Sequence, residues 1–437
     1  ASVLMHHVFV LILALVCFAM PAAAQDDDRD LIIGFLEDNL SDAGREVRLE
    51  GFEGALSSQA TLDRLTVADD DGIWLELENA ELDWTRSALL RGRLTINTLT
   101  AKSITLHRLP GGQGLGPEDT EAREFNLPDL PVSISIGTLG VETLFLGAPV
   151  LGDAAEFSIN GSMALDQGEG KADIAVTRLD HPTELTLDAE FDNASRVLAL
   201  DFQLTEAKNG LLSRLIGLPD EPALAFTLAG SGPLDDYRAE LSLASDGADR
   251  FSGTITTNQQ AEGAPPSFAA NVSGDLRPLF QPDLRPFFGA NTALTLRATR
   301  TDDGALSISE FKAQSAAMDL RGAARIAADG WPERFDIKGR IGGNEALTRL
   351  PLSGPPTRIQ NARITANYDQ AQGEAWQADI VVAGLENGPL SVGKTQMTGR
   401  GTLRREAPAA FDADLTASLA DLAHKDTALA RALGTSA

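Results

Sequence analysis

Only one cysteine, Cys17, occurs in the chain's 437 residues. An internal disulfide and a multi-cysteine metal site are therefore excluded. Val16 precedes Cys17 where lipid attachment would need a small residue, so lipidation is rejected. Histidine is sparse too: His6, His7, His107, His181 and His424. Beyond the first pair none stands at ligand spacing with another, and no metal site is expected. The sequence holds no Gly-x-Ser-x-Gly elbow, no Walker loop and no dinucleotide fingerprint. No catalytic, cofactor-binding or metal-ligating residues are assigned, no cofactor is expected, and the chain is not expected to be an enzyme. Positive charge is the minority, with 36 Lys plus Arg against 63 Asp plus Glu and a net charge of -27. Binding of nucleic acid or an anionic surface through a basic patch is not expected. Aromatics make up 5%, whereas glycine numbers 40. That balance suits strands with many turns.

What the chain does contain is a repeated apolar beat. In Leu94 to Leu106 (LTINTLTAKSITL) apolar residues stand at Leu94, Ile96, Leu99, Ala101, Ile104 and Leu106. The steps alternate two and three. A helix at 100° per residue scatters these positions, whereas a strand puts each pair on one side. The three-step then needs a bulge, a twist or a tight turn to return the next pair to that face. The same steps recur at Ile134, Ile136, Leu139, Val141 and Leu144, and at Leu75, Leu77, Ala80 and Leu82. They return at Ala60, Leu62, Leu65 and Val67, and late at Leu306, Ile308, Phe311 and Ala313. This recurrence points to an extended, repetitive β-architecture. A pentapeptide solenoid competes, but its beat here stops after two or three turns.

Val8 to Met20 is an unbroken apolar run followed by Pro21 and Ala22-Ala23-Ala24. It has the size of a signal-peptide core and is short for a membrane span. Residues 1–25 are read as a signal peptide or signal-anchor. Apolar positions Leu31, Ile32, Phe35, Leu36 and Leu40 follow the acidic start at Asp26 and predict a short helix before Gly44. Residues 26–109 thus hold a helix and the first strands. Asp69-Asp70-Asp71-Gly72 looks like the start of a calcium loop, but lacks the flanking helices and the closing Glu, so a solvated turn is preferred. Residues 110–131 are a Pro/Gly-rich loop, and 132–437 continue the strands. Glycines centred in strands, at Gly161, Gly253, Gly339 and Gly399, predict bends or close backbone approach. Helical insertions are predicted at Leu211–Leu218, Arg277–Phe288 and Asn344–Leu350, with a terminal helix at Asp421–Leu433. Asn160, Asn193 and Asn271 match the glycosylation sequon, a pattern common by chance.

Several stretches carry a family resemblance. Asp38 to Ser58 (DNLSDAGREVRLEGFEGALSS), Leu65 to Trp74 (LTVADDDGIW) and Asn79 to Arg93 (NAELDWTRSALLRGR) resemble the TamB family in its alphaproteobacterial form. Leu130 to Ile134, Gly147 to Gly152 and Gly230 to Asp236 extend the likeness. TamB is the inner-membrane component of the translocation and assembly module, in the AsmA-like superfamily. The resemblance implies an elongated β-sheet curled into an apolar groove (a β-taco of the bridge-like lipid transfer type), with an N-terminal apolar helix. It implies a periplasmic location, anchored in the inner membrane by residues 8–24. Phospholipid acyl chains are the implied cargo, and Leu94, Ile96, Leu99, Ala101, Ile104, Leu106, Ile134, Ile136, Leu139, Val141 and Leu144 the candidate lining. Asn97, Thr100 and Lys102 are expected on the opposite face. The alternative is a scaffold for outer-membrane protein and autotransporter assembly. Its TamA-like partner would dock on a C-terminal region not evident in this sequence. A third reading, a periplasmic spacer, requires a filled interior.

Overall fold

The computed structural model describes residues 46–54, 58–89, 91–110, 127, 133–259, 266–301, 303–343, 346–352, 354–405 and 410–424. Contacts divide the chain into two units, Ala1–Gly217 and Leu218–Ala437. Each is mainly β, as the apolar beat predicts. The signal segment, the helix expected before Gly44 and nearly all of the 110–131 loop lie outside the described residues.

The first unit is a sheet of β1 (Glu46–Glu50), β2 (Gln59–Asp69), β3 (Gly72–Trp84), β4 (Arg93–Leu106), β5 (Ser133–Leu146), β6 (Ala155–Asp166), β7 (Glu169–Arg178), β8 (Thr183–Asp192) and β9 (Val197–Glu206). Each strand pairs with the next, antiparallel throughout except at β4–β5, which is parallel. No pairing joins β1 to β9 among the described residues, so this sheet is open rather than a closed barrel.

The two-three beat has a physical cause here. Leu62, Leu65, Leu77, Ala80, Ala101, Ile104, Val141 and Leu144 form one aligned step of three across β2 to β5. Between them every strand spends two successive residues on the other face. Asp63, Glu78, Asn79, Lys102 and Glu142 are exposed there, and Asn79 takes the left-handed conformation, φ 50°. Four neighbouring strands thus carry their extra residue at one level and stay in register. At β6 the pattern ends: the pairing shifts between Val141 and Leu144, because β6 alternates strictly by two.

Three polar fixings hold the turns. The Asp69 carboxylate accepts the Asp71 amide (2.9 Å) and two guanidinium nitrogens of Arg108 (Nη1 at 2.9 Å), and Arg108 also reaches the Gly72 carbonyl (2.7 Å). The triple-aspartate segment is therefore a turn closed by an internal cation. Glu206, 4% exposed, accepts the Leu212 and Ser213 amides (2.9 and 3.0 Å) and so caps the short helix Leu211–Leu215. Asn193 accepts from the Leu127 amide and donates to its carbonyl, both at 2.8 Å. Its amide is committed to that contact rather than presented as a free sequon.

The second unit comprises β10 (Leu224–Pro233), β11 (Arg238–Ser245), β12 (Ala248–Asn258), β13 (Ser267–Gly274), β14 (Thr292–Arg300), β15 (Leu306–Ser315), β16 (Met318–Ile326), β17 (Pro332–Gly342), β18 (Thr348–Arg349), β19 (Thr357–Ile359), β20 (Asn361–Asp369), β21 (Ala375–Asn387), β22 (Leu390–Arg404), β23 (Ala410–Phe411) and β24 (Asp414–His424). Its long strands pair antiparallel in chain order, β17 going directly to β20 and β22 to β24. The pair β18–β19 is a side excursion that joins β21. In β15 the three-step is a single bulge between Ile308 and Phe311, matched by register shifts on both sides.

Two helix expectations are corrected. In the described part of Asn344–Leu350 there is no helix: Thr348–Arg349 is a strand paired to Arg358–Ile359, because backbone pairing wins over a weak helical spacing. Asp421–His424, expected to open a terminal helix, closes strand β24 against Leu390–Val392, and residues 425–433 lie outside the described ones. The Arg277–Phe288 insertion is two short pieces, a 3-10 turn Arg277–Leu279 and a helix Arg285–Phe288. Its Phe287 and Phe288 carbonyls accept the Ala317 and Ala316 amides, and the Phe280 and Phe288 rings stack at 3.7 Å. Two short α-helices not anticipated, Arg86–Leu89 and Ala148–Leu151, sit in the β3–β4 and β5–β6 connections.

Candidate functional site: the apolar faces of the two units

Directly paired residues point to the same side of a sheet. In the first unit that rule assembles one apolar face. The parallel β4–β5 pair sets Leu94 beside Ile134, Ile96 beside Ile136, Leu99 beside Leu139, Ala101 beside Val141 and Ile104 beside Leu144, with Leu106 beside Leu146. All candidate lining residues are thus brought together on two adjacent strands. Through β3 the rows continue to Trp84, Leu82, Ala80, Leu77 and Leu75. Through β6 to β9 they continue as Ile159–Val176–Leu185–Leu204 and as Gly161–Ile174–Leu187–Phe202. Asn97 and Lys102 are exposed on the opposite face, and Thr100 shares a row there with Glu81 and Gly140.

The lining is not uniform. Leu94, Ile96 and Ile136 are each 3% exposed and pack with Leu82, Trp84, Leu99, Ile134 and Leu139. A second packed cluster of Val47, Leu65, Val67 and Trp74 fills the other end beside Leu106. Leu99, Ile104, Leu139 and Leu144 are half-buried, and at the Ile136 end its partner Met163 is 39% exposed. The middle row, Ala101 beside Val141, is buried as well (7% and 8%), so half-buried large side chains alternate with buried ones along this face.

The second unit repeats the arrangement on different residues. Its rows run Val272–Leu294–Ala313–Leu320 and Ile337–Ala366–Ala378–Gly399. Leu294, Leu306 and Met397 keep 41%, 41% and 40% of their surface on that face. At one end the β18–β19 excursion covers it, with Leu350 and Ile359 packed on Ile341, Ala362, Ile380 and Val382. Of these second-unit residues the sequence pattern marks Leu306 and Ala313 through the apolar beat and Gly399 through the glycine pattern, but it places none in the candidate lining. The signal was present as strict alternation around in-strand glycines.

Those glycines have a common role. A Cβ on Gly161 would collide with the Asp173 carbonyl, and one on Gly253 with the Asn271 carbonyl. The backbones approach where a side chain would stand, as the glycine pattern predicts. Gly399 instead makes room for the Trp376 ring, whose Nε1 donates to the Asp412 carbonyl at 3.1 Å, and a Cβ on Gly401 would collide with that same carbonyl.

The opposite face of the first sheet is polar and ion-paired. Glu76 accepts from Arg64 and lies 3.3 Å from Nε2 of His107. The Arg64 hydrogen bond, with His107 adding to it, holds the Glu76 carboxyl below its usual 4.5. Among the described residues no group of three or more His, Cys, Asp or Glu is arranged to hold a metal ion, and no helix is long and apolar enough to cross a membrane. No protein-family model, no curated protein and no solved structure matches this chain.

Proposed function

We propose that the chain carries phospholipids by their acyl chains along its apolar sheet faces. One observation carries this reading: each unit has a continuous apolar face on which large side chains stay partly exposed, Met163 on the first and Leu294, Leu306 and Met397 on the second. A large exposed apolar surface in a folded chain marks a binding surface. Each methylene withdrawn from water contributes roughly 0.8 kcal/mol, so an acyl chain is held without any polar recognition motif. The half-exposed lining also argues against a plain spacer with a filled interior. With the sequence resemblance, this reading makes the chain a TamB-like protein of the bridge-like lipid transfer type. It would be anchored in the inner membrane by residues 8–24 and move lipid across the periplasm to the outer membrane.

A second reading is favoured by β24. It pairs with β22 on one side only among the described residues, and its Leu415 is 80% exposed. An open strand edge is a template for a strand of an incoming outer-membrane protein, with a TamA-like partner completing the assembly. Photo-crosslinkers at Leu99, Leu139 and Thr100 test the first reading, and one at Leu415 the second. Phospholipid captured at Leu99 and Leu139 but not at Thr100 supports carriage. Capture of unfolded β-barrel precursors at Leu415, with no lipid at the lining, replaces carriage by the scaffold.

A further inference from the structure

The polar strand faces of the two units carry rows of opposite charge with the same geometry. On the first unit Asp173, Asp188 and Asp201 stand directly opposite one another across β7, β8 and β9, all exposed. On the second, Lys312, Arg321 and Lys338 do so across β15, β16 and β17. Neighbouring strands lie about 4.8 Å apart, so both rows present three like charges at one spacing. Like charges in direct opposition repel and destabilise a sheet. Local compensation is partial. Arg321 and Lys338 hold Asp319 and Asp336 of their own strands (3.3 and 3.2 Å), Gln203 donates to Asp201 (3.1 Å), and Lys171, paired with Glu190 one row away, also attracts Asp173 and Asp188. The directly opposed and exposed Arg340 and Arg363 keep the basic patch net positive. It does so in a chain of net charge -27.

We propose that these rows are the two halves of a contact between copies of this chain, the acidic row of one copy lying on the basic row of another. The occupant is identified by complementarity: charge sign, number of charges and spacing all match. An anionic lipid surface would satisfy the basic row but would leave the acidic row's repulsion unrelieved. This contact uses the faces opposite to the apolar ones and is independent of what those carry.

The test is sedimentation of the full chain in nonionic detergent, over a concentration series at low and high salt. Concentration-dependent association at low salt, weakened at high salt, is expected, since screening shortens to about 3 Å at 1 M. Asp188→Arg and Arg321→Asp should each weaken it about tenfold, as an attraction becomes a repulsion. The double variant Asp188→Arg/Arg321→Asp should recover it, and mixing the two single variants should give complexes containing both. All positions are exposed, so thermal melts of the variants should match the parent. A chain that stays monomeric at low salt, or association indifferent to both reversals, overturns the proposal. So does binding of anionic vesicles that needs Arg321 while copies do not associate.

Discussion

Leu99 of β4 and Leu139 of β5 lie side by side in parallel register, half-buried, at the centre of the first unit's apolar face. Two strands with the same apolar beat are thereby laid against each other in phase. Their neighbours Ile96 and Ile136, one row away, are packed to 3% exposure. A single face therefore offers half-buried and fully buried positions for direct comparison.

Charge at the half-buried positions should stop lipid capture without unfolding the sheet. Leu99→Arg and Leu139→Asp are expected to lose most co-purified phospholipid, while Thr100→Arg on the opposite face keeps it. Ile96→Asp is expected to cost the roughly 3–5 kcal/mol of an uncompensated buried charge, and the two variants at half-buried positions less. Lipid analysis with denaturant melts reads both. Equal unfolding by all three lining variants would mean a filled interior.

Gly161→Val should destabilise the first unit by about 1–3 kcal/mol, because its side chain needs the space of the Asp173 carbonyl. Its neighbour Ser162 points the other way, and Ser162→Val should shift the denaturation midpoint far less. Similar midpoints for the two would remove the close-approach role of the glycine.

Asn193→Ala removes both bonds to the Leu127 backbone, a loss of about 1–3 kcal/mol if those groups stay buried. Amide hydrogen exchange at Leu127 is the direct measurement. Asn193→Asp keeps an acceptor but loses the donor, so it should fall between the variant and the parent. Unchanged exchange in Asn193→Ala would show that Leu127 is held by something else.

Acid should weaken the β2–β3 pairing through Glu76. Its carboxyl is held below the usual 4.5 in the folded state by Arg64 first and His107 second. The contribution is therefore fully present above about 4.5 and is lost as pH falls below it through the lowered folded value. Glu76→Gln should flatten the stability profile on that acid side and leave it unchanged in shape near neutrality. Urea midpoints taken across pH 2 to 7 decide this, and an unaltered acid limb would exclude Glu76 as its source.

Much of the first unit's face was legible because its beat is local. Leu94 to Leu106 names its own inward positions, and a three-step in a strand has few geometric solutions. The direction of pairing was not legible. Whether β5 returns parallel or antiparallel depends on the path of a long connection, which side-chain alternation does not encode. The same limit explains Thr348–Arg349, where Leu347 and Leu350 fit a helical turn as well as a two-residue ladder. The basic row was hidden by the chain's acidity. Lys312, Arg321 and Lys338 are separated in sequence by carboxylates and meet only through two hairpins.

The aligned extra residues at Asp63, Asn79, Lys102 and Glu142 constrain how such a chain can change length. A one-residue slip in a strand turns every following side chain to the other face. Deleting Lys102 alone would send Ile104 and Leu106 outward while their partners Leu144 and Leu146 stayed in. Single insertions and deletions are thus barred from this level, although it is exposed and polar like a permissive loop. Viable length changes must come as matched sets across β2 to β5, or as whole strands added in pairs. Lineages of this chain should accordingly differ by hairpins gained or lost, and seldom by single residues within these four strands.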